Sequence, residues 1–300
     1  MVMKAVSLFV SVFFLMLFWA VPAPCAEKDH AFDGSKSFSE GWRTLLLPER
    51  DIVSYPNKVI KLIGIRPGDV VVDVDPGPGY WTFKLAKAVG PSGKALGVQV
   101  CELDCKEMNE WVAATVSDRK INPYNNVEFR KGQAHNIDLP ADSVDVVFIS
   151  LGAVLLKNRD MICSDGRPLS ENRDFQGQEE LLRSIHTALK PGGKLVVIDL
   201  LDTAAVEPYL SNIDPNYKKD PVFAIVADGV DDVISNYKRI GFKVVAEYPI
   251  FKGTAYLKDV EKVRKSKNFK GLFWRYKPTF DSEKFFLVFE KFPEGEAPQK

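Results

Sequence analysis

The sequence predicts an α/β fold: a doubly wound, mostly parallel seven-stranded sheet with an antiparallel last strand. Three observations predict it. Seven short apolar segments (VVVDV, KALGVQV, NVEFRKG, VDVVFISL, KLVVIDLL, KVVAEYPI and EKFFLVFEKF) recur between residues 70 and 292. Segments with helical periodicity separate most of them, the alternation that gives a parallel sheet covered on both faces. The last two strands have no long helix between them, so one strand should join the sheet late and antiparallel.

The chain begins with a segment of a different kind. Lys4 precedes the apolar run AVSLFVSVFFLMLFWAV (5–21), and VPAPCAEKD follows. A basic start, an apolar run and small residues before a polar stretch describe a secretory leader over residues 1–26, with cleavage expected after Ala26. The run is also near the length of a membrane span, so an uncleaved anchor is the alternative. Either way Lys4 stays inside and the domain goes out. Cys25 suggests a lipoprotein, and Pro24 directly before it argues against one.

Residues 27–48 read as a polar N-terminal arm with a short helix near SFSEGWRTLL. The domain itself is expected over 49–292, and 293–300 as a flexible tail. In PERDIVSYPNKVIKLIGI, residues Val59, Ile60, Leu62 and Ile63 suit a short helix stopped by Gly64 and Pro67. RPGD is a turn and VVVDV (70–74) a buried strand. YWTFKLAKAV is a helix with Trp81, Leu85, Ala88 and Val89 facing inward, and GPSGK turns the chain into KALGVQV. CELDCKEMNEWVAATVSDRK is a helix with an inward stripe of Leu103, Met108, Trp111, Val112 and Thr115. NVEFRKG is the third strand and HNIDLPADS a loop. VDVVFISL is so apolar that it belongs at the sheet centre, buried on both faces. Residues 152–177 lack clear periodicity and read as a short helix and a loop. QEELLRSIHTALKPGG is an amphipathic helix with a Pro-Gly-Gly stop before the strand KLVVIDLL. Residues 202–227 are irregular. DGVDDVISNYKRIGF is a helix closed by Gly241, followed by KVVAEYPI. Residues 253–282 read as loop and short helix before the final strand.

Composition limits the function. Forty Lys and Arg balance forty Asp and Glu in 300 residues, so the basic excess of a nucleic-acid surface is missing. Cys101 and Cys105 are spaced i, i+4, which on a helix separates their Cβ atoms by ~5–6 Å, beyond the ~3.8 Å of a disulfide. Whether Cys163 pairs with either stays open. The three histidines are far apart and no cysteine–histidine spacing suits zinc, so no metal site is expected.

In such a sheet, ligands bind outside the carboxyl ends of the strands, at the switch point. There the chain reads DVDPGPGY, with Asp73 and Asp75 entering a turn that carries Gly77 and Gly79. A helix follows whose N-terminus offers backbone N–H groups. Residues i and i+2 of a strand point the same way, so the two aspartates are expected together, and two carboxylates in one place call for a cation or a proton. Asp75 either caps the turn or touches a ligand. Tyr80 is a candidate to line the pocket and Trp81 a core residue. Ser150, ending the fourth strand, stands at the rim. His135 reads as a loop residue and His186 as structural. NFKGLFWRYK (268–277) reads as a solvated loop or a lid.

Over roughly residues 48–292 the chain resembles the class I S-adenosylmethionine-dependent methyltransferases. DVDPGPGYWTFKLAKAVGPSGKALGVQV is similar to that family's first motif and second strand, LPADSVDVVFISL to its acidic loop and fourth strand, and HTALKPGGKLVVIDL to the entry to its fifth. PERD followed by VIKLIGIRPGD resembles a bacterial subgroup, several members of which are exported. The resemblance implies a Rossmann-like methyltransferase fold and S-adenosyl-L-methionine as cofactor. It also implies a glycine-rich turn under the methionine, an acid ending strand two at the ribose hydroxyls, and an aspartate near the end of strand three at the adenine. Asp73, Gly77 and Gly79 match the turn. Asp75 stands for its first glycine, Gln99 for the ribose acid and Gln133, beside Ala134, for the adenine aspartate. A glutamine still accepts a hydrogen bond but loses the charge, roughly half of the interaction. Glu102 is close enough in sequence to substitute for Gln99. No residue stands out as a general base.

The expected function is methyl transfer to a small-molecule acceptor by an exported, periplasmic protein that meets no nucleic acid and touches the membrane only through an uncleaved leader. The alternative is a binding or scaffold protein that keeps the fold and has lost the cofactor. An NAD-dependent oxidoreductase would need a small residue at Thr82 and an acid at Gln99, and has neither.

Overall fold

The computed structural model describes residues 46–100, 114, 122–133, 136–150, 175–201, 230–266 and 283–292. The expected leader, nearly all of the arm, Cys101, Cys105 and Cys163, the 268–277 stretch and the tail lie outside the described residues.

Two helices open the domain where one was expected. Helix α1 spans Arg50–Ser54 and α2 spans Pro56–Ile63. They separate at Tyr55, which is left-handed (φ 44°). Pro56 then sits in the first turn of α2, where its missing N–H costs nothing. Strand β1 (Val70–Val74) leads through the turn into α3 (Tyr80–Val89), followed by β2 (Lys94–Gln99), β3 (Val127–Lys131) and β4 (Val144–Ser150). Then come α4 (Phe175–Ala188), β5 (Leu189–Leu200), α5 (Val230–Ile240), β6 (Phe242–Glu247), α6 (Gly253–Arg264) and β7 (Lys284–Lys291). Helix α6 makes residues 253–264 more regular than the sequence suggested. Strand β5 starts before the Pro-Gly-Gly turn, which it absorbs as an irregularity in its pairing with β4 between Val144 and Val146.

The strands lie in the order β3-β2-β1-β4-β5-β7-β6. Those from β3 to β5 are parallel, and β7 runs antiparallel between β5 and β6. The sequence order reverses between β1 and β4, the switch point of the sheet. Alternate residues of each central strand feed opposite faces. Val71, Phe148 and Val196 pack under α1, α2, α3 and α6, whereas Val72, Val147 and Val197 pack under α4 and α5. This two-sided burial explains the near-continuous apolar runs in β1, β4 and β5. On α3 the inward stripe is Trp81, Leu85, Ala86 and Val89; Ala86 takes the place expected of Ala88. The stripe fixes the start of α3 against the end of β1, and with it the turn between them.

Candidate functional site

Strand β1 stops at Val74, and residues 75–79 turn the chain into α3. Three of these five residues are left-handed: Asp75 (φ 51°), Gly77 (φ 52°) and Gly79 (φ 88°). Gly79 is the N-cap of α3 and brings no side chain to cap it. It is also enclosed. A Cβ there would lie 2.7 Å from Phe129 Cζ and 3.1 Å from the Phe83 ring. Phe129 reaches this place by crossing β2 at Gly97, where a Cβ would meet the Phe129 ring at 2.6 Å and Pro76 at 3.0 Å. The glycines therefore serve an aromatic packing, Phe83 against Phe129 at 5.9 Å, as well as the path of the backbone.

The two aspartates do not point together, against the expectation from strand alternation. Asp73 is within β1 and turns toward α3, where its Oδ2 accepts the Thr82 hydroxyl at 2.6 Å and the carboxylate also receives the Thr82 N–H. Asp75 lies past the strand end, so the period-two rule no longer governs it. Its left-handed backbone carries the carboxylate to the carboxyl end of β2, where Oδ1 accepts Gln99 Nε2 at 2.7 Å and the Val100 N–H at 3.0 Å. The Asp75 N–H donates to the Val98 carbonyl at 2.9 Å, which fastens the turn to β2.

Burial divides the pair further. Asp73 is 3% exposed. Desolvation pushes its carboxyl up to about 7, against the hydrogen bonds from Thr82 and the charge of Arg50. Asp75 adds to the upward push.

The first helix closes over the start of α3. The Arg50 guanidinium carbon stands 3.9 Å from the Tyr80 ring centroid. The Tyr80 hydroxyl donates to Asp51 Oδ1 at 2.6 Å, and Lys84 Nζ meets the other Asp51 oxygen at 2.6 Å. Tyr80 and Arg50 are both buried. Burial lowers the Arg50 guanidinium to about 10 and raises the Tyr80 phenol. Tyr80 is thus gripped from α1 rather than facing an open pocket. Arg50, Asp51, Thr82 and Lys84 escaped the sequence reading as site residues. The one available signal was the charged run Glu49–Asp51 on a short helix.

Around the rim, Trp81 Nε1 donates to Ser150 Oγ at 3.0 Å, and its ring packs on Phe148 at 4.7 Å. This joins the end of β4 to α3. Gln133 follows β3 and pairs with Asn136 through backbone bonds of 2.9 and 3.0 Å. The structure thus brings Asp73, Asp75, Gly77, Gly79, Tyr80, Gln99 and Ser150 to the carboxyl edge around β1, whereas Glu102 and Ala134 lie outside the described residues. A cleft of about 880 Å³ opens at the opposite edge, between Gly90–Lys94 and Pro123–Glu128. That edge carries the amino ends of the strands, so topology, not concavity, marks the turn as the candidate site. Among the described residues no helix is long and apolar enough to cross a membrane, and no cluster of three or more His, Cys, Asp or Glu could hold a metal.

Comparison with known proteins agrees with this geometry. A family described as a methyltransferase domain matches residues 65–252. The demethylmenaquinone methyltransferase of Lysinibacillus sphaericus is 26% identical over 147 residues, 49% of this chain and 51% of the relative. The arsenite methyltransferase of Halobacterium salinarum is 26% identical over 195 residues, 65% of this chain and 42% of the relative. The chain spans about half the length of the curated relatives it matches. A SAM-dependent methyltransferase from Aquifex aeolicus has the same fold, with a TM-score of 0.50 at 18% identity, covering 85% of this chain and 98% of that one.

Proposed function

The chain belongs to the methyltransferase-domain family, and from that premise we propose that it binds S-adenosylmethionine over the 75–79 turn and transfers the methyl group to a small-molecule acceptor. The observation that carries the reading is the turn itself. Three left-handed residues at the switch point bring the uncapped start of a ten-residue helix to the carboxyl edge.

The donor set fits the cofactor. The α3 N-terminus, with Gly77 and Gly79, suits the methionine carboxylate. Asp75 and Gln99 offer acceptors at the end of β2, and Gln133 follows β3 where the adenine belongs. Bound there, the cofactor supplies an electrophilic methyl group on a sulfonium. The chain's part is to position and to exclude water. The Tyr80–Trp81–Phe148 aromatics and the α1 clamp form a dry wall beside the turn. Ser150, held by the Trp81 N–H, orients that wall at the β4 end. Asp73, whose carboxyl burial pushes up to about 7, is committed to Thr82 and supports the start of α3 rather than taking a proton from an acceptor.

The relatives' names give acceptors as unlike as demethylmenaquinone and arsenite, so the acceptor here stays at the level of a small molecule. The leader-like pattern of residues 1–26, a basic start and an apolar run before small residues, favours an exported domain, in the periplasm of a bacterial cell or held at its inner membrane. A second reading, a cofactor-free binding or scaffold protein on this fold, is favoured by one observation: the Asp75 carboxylate occupies a glycine's place and is bonded within the protein.

Titration calorimetry with S-adenosylmethionine and S-adenosylhomocysteine separates the two. Micromolar binding, about 8 kcal/mol, is expected. Absence of heat at millimolar ligand with folded protein would leave the scaffold reading.

A further inference from the structure

We propose that the carboxylate receiving the cofactor's ribose hydroxyls has moved in this chain from the end of β2 to the turn: Asp75 is the ribose ligand and Gln99 its positioning partner. The inference rests on the methyl-transfer reading above. In nucleotide-binding sheets of this kind an acid about twenty residues after the glycine turn, at the end of the second strand, accepts the ribose hydroxyls. That position is Gln99, which carries no charge. Yet a carboxylate is present there. Asp75 Oδ1 lies 2.7 Å from Gln99 Nε2 and 3.0 Å from the N–H of Val100, the next residue along.

Each partner's chemistry fits the exchange. An ionised carboxylate can only accept, so the amide edge that Gln99 turns to Asp75 is its nitrogen, which leaves the amide oxygen as a second acceptor on the far side. The pair therefore presents acceptors from two residues where the usual arrangement presents one carboxylate. The backbone permits it. Asp75 holds the left-handed conformation (φ 51°) of the glycine it replaces, and aspartate is one of the few residues that visit that region. The same conformation aims its side chain at β2, away from Asp73. A glutamate at position 99 would set two carboxylates against each other, so an acid in the turn and an amide at the strand end form a matched set.

The test is a swap. Asp75→Gly returns the turn to a glycine and relieves its left-handed backbone, but forfeits the carboxylate's bonds to Gln99 and the Val100 N–H. Its thermal midpoint should therefore fall by a few degrees, and the titration is run well below it, where the variant is folded. Its affinity for S-adenosylhomocysteine by calorimetry should fall about 10- to 100-fold, the loss expected for a charge-assisted hydrogen bond. Asp75→Gly with Gln99→Glu should recover most of that loss. Gln99→Glu alone should weaken binding in a pH-dependent way, with affinity improving as pH falls and one of the facing carboxylates takes a proton.

Parent-like affinity in Asp75→Gly overturns the assignment and leaves the methyl-transfer reading intact. Binding gained by Asp75→Gly over a parent that does not bind marks Asp75 as a block and overturns both. Absence of binding in every variant also overturns both.

Discussion

Replacing Gly79 by alanine tests whether this glycine is fixed by the protein's own packing before any ligand arrives. Two costs add. The residue holds φ 88°, and a side chain in the left-handed region costs about 1–2 kcal/mol. The new Cβ would stand 2.7 Å from Phe129 Cζ and 3.1 Å from Phe83, where apolar carbons prefer about 3.5–4.0 Å. The Phe129 ring must retreat by nearly 1 Å between Gly79 and Gly97, an overpacking of about 1–3 kcal/mol. The sum, about 2–5 kcal/mol, is a large share of the 5–15 kcal/mol that keeps a domain folded. Urea unfolding followed by tryptophan fluorescence, without ligand, measures it. The cycle with Phe129→Ala divides it. Without that ring, Gly79→Ala should cost only the backbone part and the milder Phe83 contact, so the two changes should couple by at least 1 kcal/mol. A cost below 0.5 kcal/mol, or the same cost in both backgrounds, would refute the packing argument and return Gly79 to a purely ligand-facing role.

Further expectations concern the buried polar groups. Asp73 is raised from its ordinary 3.8 to about 7, chiefly by burial, so the folded state holds this proton more tightly than the unfolded chain. Its contribution to stability is complete below pH 4 and is lost as pH rises through 7, on the order of 4 kcal/mol in all. Asp73→Asn, which keeps an acceptor for Thr82, should flatten the pH 4–7 part of the stability profile measured by urea midpoints. Arg50→Ala removes the cation near Asp73 and the stack on Tyr80. It should cost about 3 kcal/mol and carry the Asp73 transition to still higher pH. Ser150→Ala leaves the buried Trp81 N–H without its 3.0 Å acceptor and should cost about 1–3 kcal/mol. Adding Trp81→Phe should make the Ser150 change nearly neutral in the same assay.

The sheet was legible because each strand carries its own signal. VDVVFISL is apolar on both faces, and in the structure it is β4, at the centre, with β1 and β5 on either side. The insertion of β7 between β5 and β6 was not legible, since the choice of neighbour depends on long-range packing rather than on anything local in KFFLVFEK. The break between α1 and α2 had a local sign in Tyr55–Pro56, because a residue before proline is driven out of the helical region. The place of DVDPGPG at the carboxyl edge of the sheet followed from its position between an apolar strand and an amphipathic helix. The divergence of Asp73 and Asp75 did not, because alternation holds inside a strand and β1 ends one residue before Asp75. The grip of Arg50 and Asp51 on Tyr80 joins residues about thirty apart in sequence, and no periodicity reports such a contact.

These contacts converge on a turn that is ordered by the protein's own bonds. Asp75 is tied to β2 through its N–H to Val98 and its carboxylate to Val100 and Gln99. Gly79 closes on Pro76 through a 3.0 Å backbone bond and receives the Phe83 N–H at 2.9 Å. Tyr80 is clamped from α1 and Trp81 from β4. A loop held from four sides has little conformational entropy left to lose when a ligand arrives, and residues ordered on binding cost about 1–2 kcal/mol each in backbone alone. Amide hydrogen exchange should therefore find the N–H groups of Asp75, Gly79 and Phe83 already slow without ligand. Saturating S-adenosylhomocysteine should slow them further by less than about tenfold. A large gain of protection confined to residues 75–83 would mean that the turn is ordered by the ligand instead, and that the network around it is a consequence of binding rather than its preparation.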